Sequence, residues 1–339
     1  MNTTLAEIVT QHYGIALCSP AQSVARGFLS RNFVLESAAN QYFLKQYRFT
    51  QLENVAAVHE AKFFFAAAGV PVILPIKTQS GASFFEFEQR YYALFPYIEG
   101  RQLKRGSFPA KALETSAAVL GLIHRSGKNA SVSHVKARPA VSNPSHFDET
   151  SQFILAKIAE SPMTEFDQLA LATIQSKLKL VEHHRNEFSK IDLLSDHLVH
   201  GDYQDTNLFF DAADRVSHVF DWELTRVIHR GLELVRAIEF ICFANPENFK
   251  AVFSAENYEK ARCFLQHYHD FYPIQRSEFE TVWRARYFDK LLSLWVEEEH
   301  YLANNPRVDP FLEAEYHTLH YYSQHLNEHI ERLSEGILR

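Results

Sequence analysis

His200-Gly201-Asp202-Tyr203-Gln204-Asp205-Thr206-Asn207, followed further on by Asp221-Trp222-Glu223, is the stretch on which the reading of this chain turns. Leu198, Val199 and His200 read as the end of a short buried strand. Leu208, Phe209 and Phe210 form a second apolar run, residues 211–215 are turn-rich, and residues 216–220 form a third run ending at Asp221. A strand, a tight loop and a hairpin would bring Asp202, Asn207 and Asp221 to one rim. A carboxylate such as Asp202 can take a proton from a hydroxyl, and Asn207 and Asp221 offer the hard oxygens that divalent cations prefer. A plain structural loop with capping Asp and Asn residues is the competing reading, and it leaves the fixed spacing and the Asp-Trp-Glu without a reason.

The pattern H-G-D-x-x-x-x-N followed by D-W-E resembles the aminoglycoside phosphotransferase and choline kinase superfamily. These are small-molecule kinases with a protein-kinase-like fold, and they write His-Gly-Asp where protein kinases write His-Arg-Asp. The resemblance implies an α+β, bilobal architecture. Residues 1–95 would form a small antiparallel-sheet N-lobe, residues 96–100 a hinge, and residues 101–339 a larger, mostly helical C-lobe. It implies ATP and Mg²⁺ as cofactors, Asp202 as the catalytic base, and Asn207 and Asp221 as metal ligands. Glu223 stands where some relatives carry a second acid, with a surface carboxylate as its plain alternative. Where the family usually has an Asp bracing the loop, this chain has Glu233, whose longer side chain could still reach.

Working outward, residues 24–36 and 41–47 read as strands joined by the turn Ser37-Ala38-Ala39-Asn40. The loop between Ala25 and Phe33 would cover the phosphates; it has one glycine, and Ser30 is its candidate contact. Lys45 lies within the apolar run Phe43-Leu44-Lys45-Gln46-Tyr47, and burying an unpaired ammonium is costly. In a kinase fold such a lysine meets the α- and β-phosphates and is oriented by a helix Glu. Residues 54–68 have helical spacing, and Glu60 within them is the expected partner. Residues 91–98 read as the last N-lobe strand and hinge, with adenine against backbone groups around Phe95, Tyr97 and Ile98; Pro96 has no N–H to offer.

Residues 110–125 read as a helix ending at a structural His124, residues 127–145 as a surface loop, and residues 153–188 as one or two amphipathic helices. His325-Leu326-Asn327-Glu328-His329 matches a zinc-protease pattern, but charges and aromatics at helical spacing favour an exposed helix face.

The net charge of −7 leaves no basic footprint for nucleic acid. Three cysteines form no paired framework, the N-terminus lacks a signal-like apolar core, and residues 63–76 are too short to span a bilayer. These observations predict a cytoplasmic protein with no membrane or nucleic-acid partner; oligomeric state is not legible. The expected partner is a small-molecule hydroxyl acceptor: an amino alcohol, a sugar or an aminoglycoside-like compound. Asp205 and Glu298 are the candidate acceptor contacts, although the run Glu297-Glu298-Glu299 reads equally as a solvated face. Two alternatives stand beside this reading. One is phosphorylation of proteins, as in the bacterial stress-response kinases that the N-lobe is similar to. The other is a non-catalytic nucleotide-binding module.

Overall fold

The computed structural model describes residues 4–19, 21–24, 31–135, 137–160, 162–243 and 252–339. It is a mixed α/β chain, with an antiparallel sheet in the N-terminal part and helices in the C-terminal part. The sheet comprises β1 (Gln22–Val24), β2 (Arg31–Glu36), β3 (Gln41–Gln46), β4 (Phe85–Phe87) and β5 (Arg90–Pro96), in the order β1-β2-β3-β5-β4. The β2–β3 hairpin closes where predicted: Ser37 N–H donates to Asn40 O at 2.9 Å, and the Ser37 hydroxyl accepts from Asn40 N–H at 3.1 Å.

Strand alternation decides which face each side chain reaches. Leu35, Leu44 and Leu94 pack on one face against helix α1 (Leu5–Tyr13). One step along, Phe43, Ala93, Phe95 and Tyr47 join the main core under helix α2 (Leu52–Ala67). Lys45 pairs with Asn32 on β2 and Ala93 on β5, so the ladder turns it toward the helical side. A one-residue slip would move the ammonium to the α1 face and Leu44 off its core.

After α2 the chain turns at Gly69 and runs along the hairpin that carries Asp221. Val219 N–H donates to Pro71 O at 2.7 Å, and Val72 bridges Val219 in parallel. That hairpin is β7 (Leu208–Phe210) with β8 (Val216–Val219); β6 (His197–Val199) pairs instead with β9 (Arg226–Ile228). Asp211 shapes the β7–β8 turn by accepting from Ala213 N–H and Arg215 N–H, each at 2.9 Å.

The helices are α3 (Ala110–Gly127), α4 (Pro144–Ala159), α5 (Glu165–Phe188), α6 (Arg230–Ile238), α7 (Ala255–Phe271), α8 (Arg276–Leu292), α9 (Trp295–Tyr301) and α10 (Phe311–Ser334). A five-residue π-helical turn, Glu239–Phe243, extends α6. Helix α3 lies along α7, and α6 along α8. No described helix is long and apolar enough to cross a membrane.

The zinc-protease look-alike sits on α10. Its exposed face is only half right, because His329 is fully buried and hydrogen-bonded to the Tyr258 hydroxyl at 2.7 Å. The packing of α7 on α10 pulls this residue inward. No group of three or more His, Cys, Asp or Glu side chains suited to a metal occurs among the described residues.

Candidate active site

The loop between β6 and β7 is held from below. Gly201 has φ +86°, and a Cβ there would lie 1.8 Å from Leu224 O, so the position accepts only glycine. Glu233, buried on α6, accepts from His200 N–H at 3.2 Å and from Gly201 N–H. Its third partner is His124 Nε2 at 3.1 Å, while His124 Nδ1 meets the Tyr268 hydroxyl at 2.8 Å. Burial alone would raise the Glu233 pKa, but the His124 hydrogen bond and the Gly201 amide pull it below the usual carboxylate range. The glutamate therefore braces the loop, and His124 is structural.

His200 is wholly buried and links the loop to the next hairpin. Its Nε2 meets Phe220 O at 2.8 Å, and its Nδ1 accepts from Asp202 N–H at 3.1 Å. Phe220 N–H donates to Asn207 O at 2.8 Å. Trp222 packs against His200 and Phe65, with ring centroids 4.5 and 4.9 Å away. These contacts fix the distance between the loop and Asp221.

The two oxygens of Asp202 have different neighbours. Oδ2 accepts from Asn207 Nδ2 at 2.9 Å and Gln204 Nε2 at 3.0 Å. Oδ1 pairs with Arg236 Nη2 at 2.6 Å. Asn207 Nδ2 also reaches Asp202 O at 2.9 Å, so the amide nitrogen is committed and its carbonyl oxygen is the end left to act as a ligand.

Lys45 is buried, and its ammonium lies 2.8 Å from Asp221 Oδ1 and 2.5 Å from Glu223 Oε1. Desolvation would lower the Lys45 pKa, but the two carboxylates outweigh it and hold the amine above its ordinary value. Burial likewise acts to raise the Asp221 pKa, and Lys45 reverses it. Asp221 takes the left-handed backbone region, φ +56°, two residues past β8, and its side chain meets Lys45.

Glu60 is not the partner of Lys45. It lies on the exposed face of α2 and accepts from Ser133 N–H at 3.1 Å. The inward face of that helix carries His59, which meets the Tyr47 hydroxyl at 2.8 Å, and Lys62, which stands over the Phe95 ring at 4.2 Å. Lys62 was not singled out from the sequence, although it is one turn from both Val58 and Phe65 on the buried stripe. Burial, with repulsion from Lys45, brings its pKa down to about 7.

Phe95 is buried, Tyr97 is exposed, and Ile98 packs against the core edge. Tyr97 N–H donates to Gln41 O at 3.3 Å, so of the two expected hinge donors Ile98 is the one without a backbone partner among the described residues. Ser30 lies outside the described residues.

Asp205 is buried in an ion pair with Arg105 Nε at 3.1 Å. Glu298 contacts His146 on α4 at 3.5 Å and shares no contact with the Asp202 cluster among the described residues. Nor is its run a solvated face throughout, because Glu297 is buried 3.9 Å from Lys177 of α5. Arg105 and Arg236, like Lys62, are residues that sequence reasoning missed at this site. Arg236 could have been found as the residue one turn beyond Glu233 on the same helix face.

The sequence pattern of the phosphotransferase enzyme family matches residues 20–274. No curated protein matches the sequence. Among solved structures, spectinomycin phosphotransferase in complex with ADP and spectinomycin superposes with a TM-score of 0.62 at 16% identity, over 98% of this chain and 97% of that one. Choline kinase from Cryptosporidium parvum gives 0.61 at 13% identity, over 98% of both chains. Amicoumacin kinase in complex with AMP-PNP, Ca²⁺ and Ami gives 0.60 at 12% identity, over 92% and 95%. At such identities these likenesses establish a shared protein-kinase-like fold.

Proposed function

Given that this chain belongs to the phosphotransferase enzyme family, we propose that it moves the γ-phosphoryl group of Mg·ATP to a hydroxyl of a small molecule. The observation that carries this reading is the Lys45–Asp221–Glu223 cluster, assembled from residues 176 positions apart beside the locked pair Asp202–Asn207.

The residues fit the cofactor. Asn207, Asp221 and Glu223 supply a carbonyl and two carboxylates, hard oxygens suited to Mg²⁺, which ordinarily binds one or two protein acids plus phosphates. Bound Mg·ATP supplies the transferable group and the charge that offsets its oxygens. Lys45 is then free to meet the phosphates, and Phe95, Tyr97 and Ile98 border the adenine side. Asp202 orients the acceptor hydroxyl and receives its proton. As the hydroxyl oxygen gains its bond to phosphorus, the bond to the β-phosphate oxygen breaks. Residues 1–95, 96–100 and 101–339 serve as nucleotide lobe, hinge and acceptor lobe, and the expected setting is the cytoplasm.

The test is γ-phosphate transfer from Mg·ATP to pooled amino alcohols, sugars, aminoglycosides and a generic protein. We expect transfer to one small-molecule pool and a loss of about 10²–10⁴-fold in Asp202→Asn, with nucleotide binding retained. Near-normal turnover in the variant would remove Asp202 as the base. Transfer to the protein alone would move the activity to that branch.

A further inference from the structure

We propose that the acceptor carries an anionic group, a carboxylate or a phosphate ester, near the hydroxyl that is phosphorylated, and that Arg236 and Arg105 recognise it. The proposal rests on the kinase reading above and names its substrate class.

Asp202 separates two sides of the site. Asn207, the metal-side residue, holds Oδ2, and Arg236 holds Oδ1. A hydroxyl entering opposite the metal therefore meets Arg236. One arm of that guanidinium is committed to the base, while its other nitrogen, Nη1, is buried and has no hydrogen-bond partner among the described residues. Leaving a buried donor unmatched costs about 1–3 kcal/mol, more for a charged group. The Arg236 side chain is 21% exposed, so a small turn of its guanidinium would present this unmatched donor to a ligand atom beside the base.

The surroundings reinforce the sign. Phe240 lies under both guanidinium groups, with Arg105 at 4.1 Å and Arg236 at 4.5 Å from the ring centroid. Arg105 bonds Asp205 at 3.1 Å and Gln204 Oε1 at 3.5 Å. Arg226 donates to Gly201 O at 3.1 Å, and its buried Nε also lacks a hydrogen-bond partner. Three arginines thus converge on a loop that offers two carboxylates, Asp202 and Asp205. The nearby acids are committed elsewhere: Glu233 to His124 at 3.1 Å and to the loop amides, and Asp289 on α8 to Arg286 at 2.9 Å. An ammonium-bearing acceptor would find both loop carboxylates already paired with arginine. A carboxylate or phosphate would match the planar fork, with Arg236 holding base and substrate through its two arms.

The experiment uses the full chain with Mg·ATP and compares D-glycerate and glycerol 3-phosphate with glycerol and choline. We expect one of the anions to exceed glycerol in kcat/KM by about a hundredfold, the worth of a well-made charged contact. Glycerate leading would identify a carboxylate, and glycerol 3-phosphate leading a phosphate ester. Arg236→Gln should raise the acceptor KM by about tenfold or more, with the shift falling on the acceptor and not on Mg·ATP, and Arg236→Lys should recover part of it. Independently of turnover, the better anion should raise the thermal midpoint of the native protein, and Arg105→Gln should abolish the rise. Preference for glycerol or choline, or stabilisation by neither anion, overturns the proposal while the kinase stands. A protein that neither binds nor uses Mg·ATP overturns both.

Discussion

Lys62 and Lys45 are two lysines in one buried space with opposite fates. Lys45 has two carboxylates within reach and keeps its charge; Lys62 has an aromatic ring and a like charge nearby, and loses its proton at about pH 7. In the unfolded chain a lysine titrates near 10.5, so between those values the unfolded state binds a proton that the folded state has released. Stability should accordingly climb as pH rises from 7 toward 10.5, and Lys62→Met should flatten that climb in urea midpoints taken across the range. An unchanged slope would show that Lys62 finds an anion in solution. At the same scale, Asp221→Ala removes the partner of Lys45 that is also the proposed metal ligand. The thermal gain on adding Mg·ATP should shrink from a few degrees to nearly nothing.

At the scale of elements, the β6–β7 loop shows how short-range sequence encodes a site. Gly201→Ala would force a Cβ against Leu224 O in a backbone region that L residues avoid. We expect a loss of more than about 3 kcal/mol together with loss of transfer, read from denaturation and from the assay above. This loop was legible because each residue type has a local reason: glycine for the positive φ, histidine for the cross-link, aspartate and asparagine for the rim. Helix α2 was not legible in the same way. It is apolar almost all round, with Phe63, Phe64 and Phe65 in succession, so periodicity did not reveal which side faces inward, and Glu60 was assigned to the wrong one. The π-turn after α6 is another element outside local reach. Its Glu239 gathers Arg286 and Lys290 from α8 and Tyr322 from α10. Burial opposes ionisation, yet Arg286 and Lys290 hold the carboxyl down at about 2 against an ordinary 4.5. That stabilisation is complete above the ordinary value and disappears as pH falls toward 2. Glu239→Gln should therefore cut the acid loss of stability by on the order of 3 kcal/mol.

Across the whole molecule, the sheet-then-helices architecture was what the family resemblance implied, and that resemblance, carried by about a dozen residues, extended to nearly the full chain. What the sequence left open were long-range choices: which acid meets Lys45 and which face of α10 is buried. Those depend on pairs separated by tens to hundreds of residues, where no local period operates. The meeting of Lys45 with Asp221 and Glu223 has a consequence for the protein at rest. Its ammonium, together with Arg48 at 3.6 Å from Glu223, acts as a built-in counterion, so the two acids proposed to hold a divalent cation are already paired before one arrives. A chelator should consequently leave the unliganded melting temperature where it was, and magnesium without nucleotide should bind weakly, because it competes with a tethered cation. The metal becomes competitive once phosphates draw the lysine away, which couples metal affinity to the presence of nucleotide.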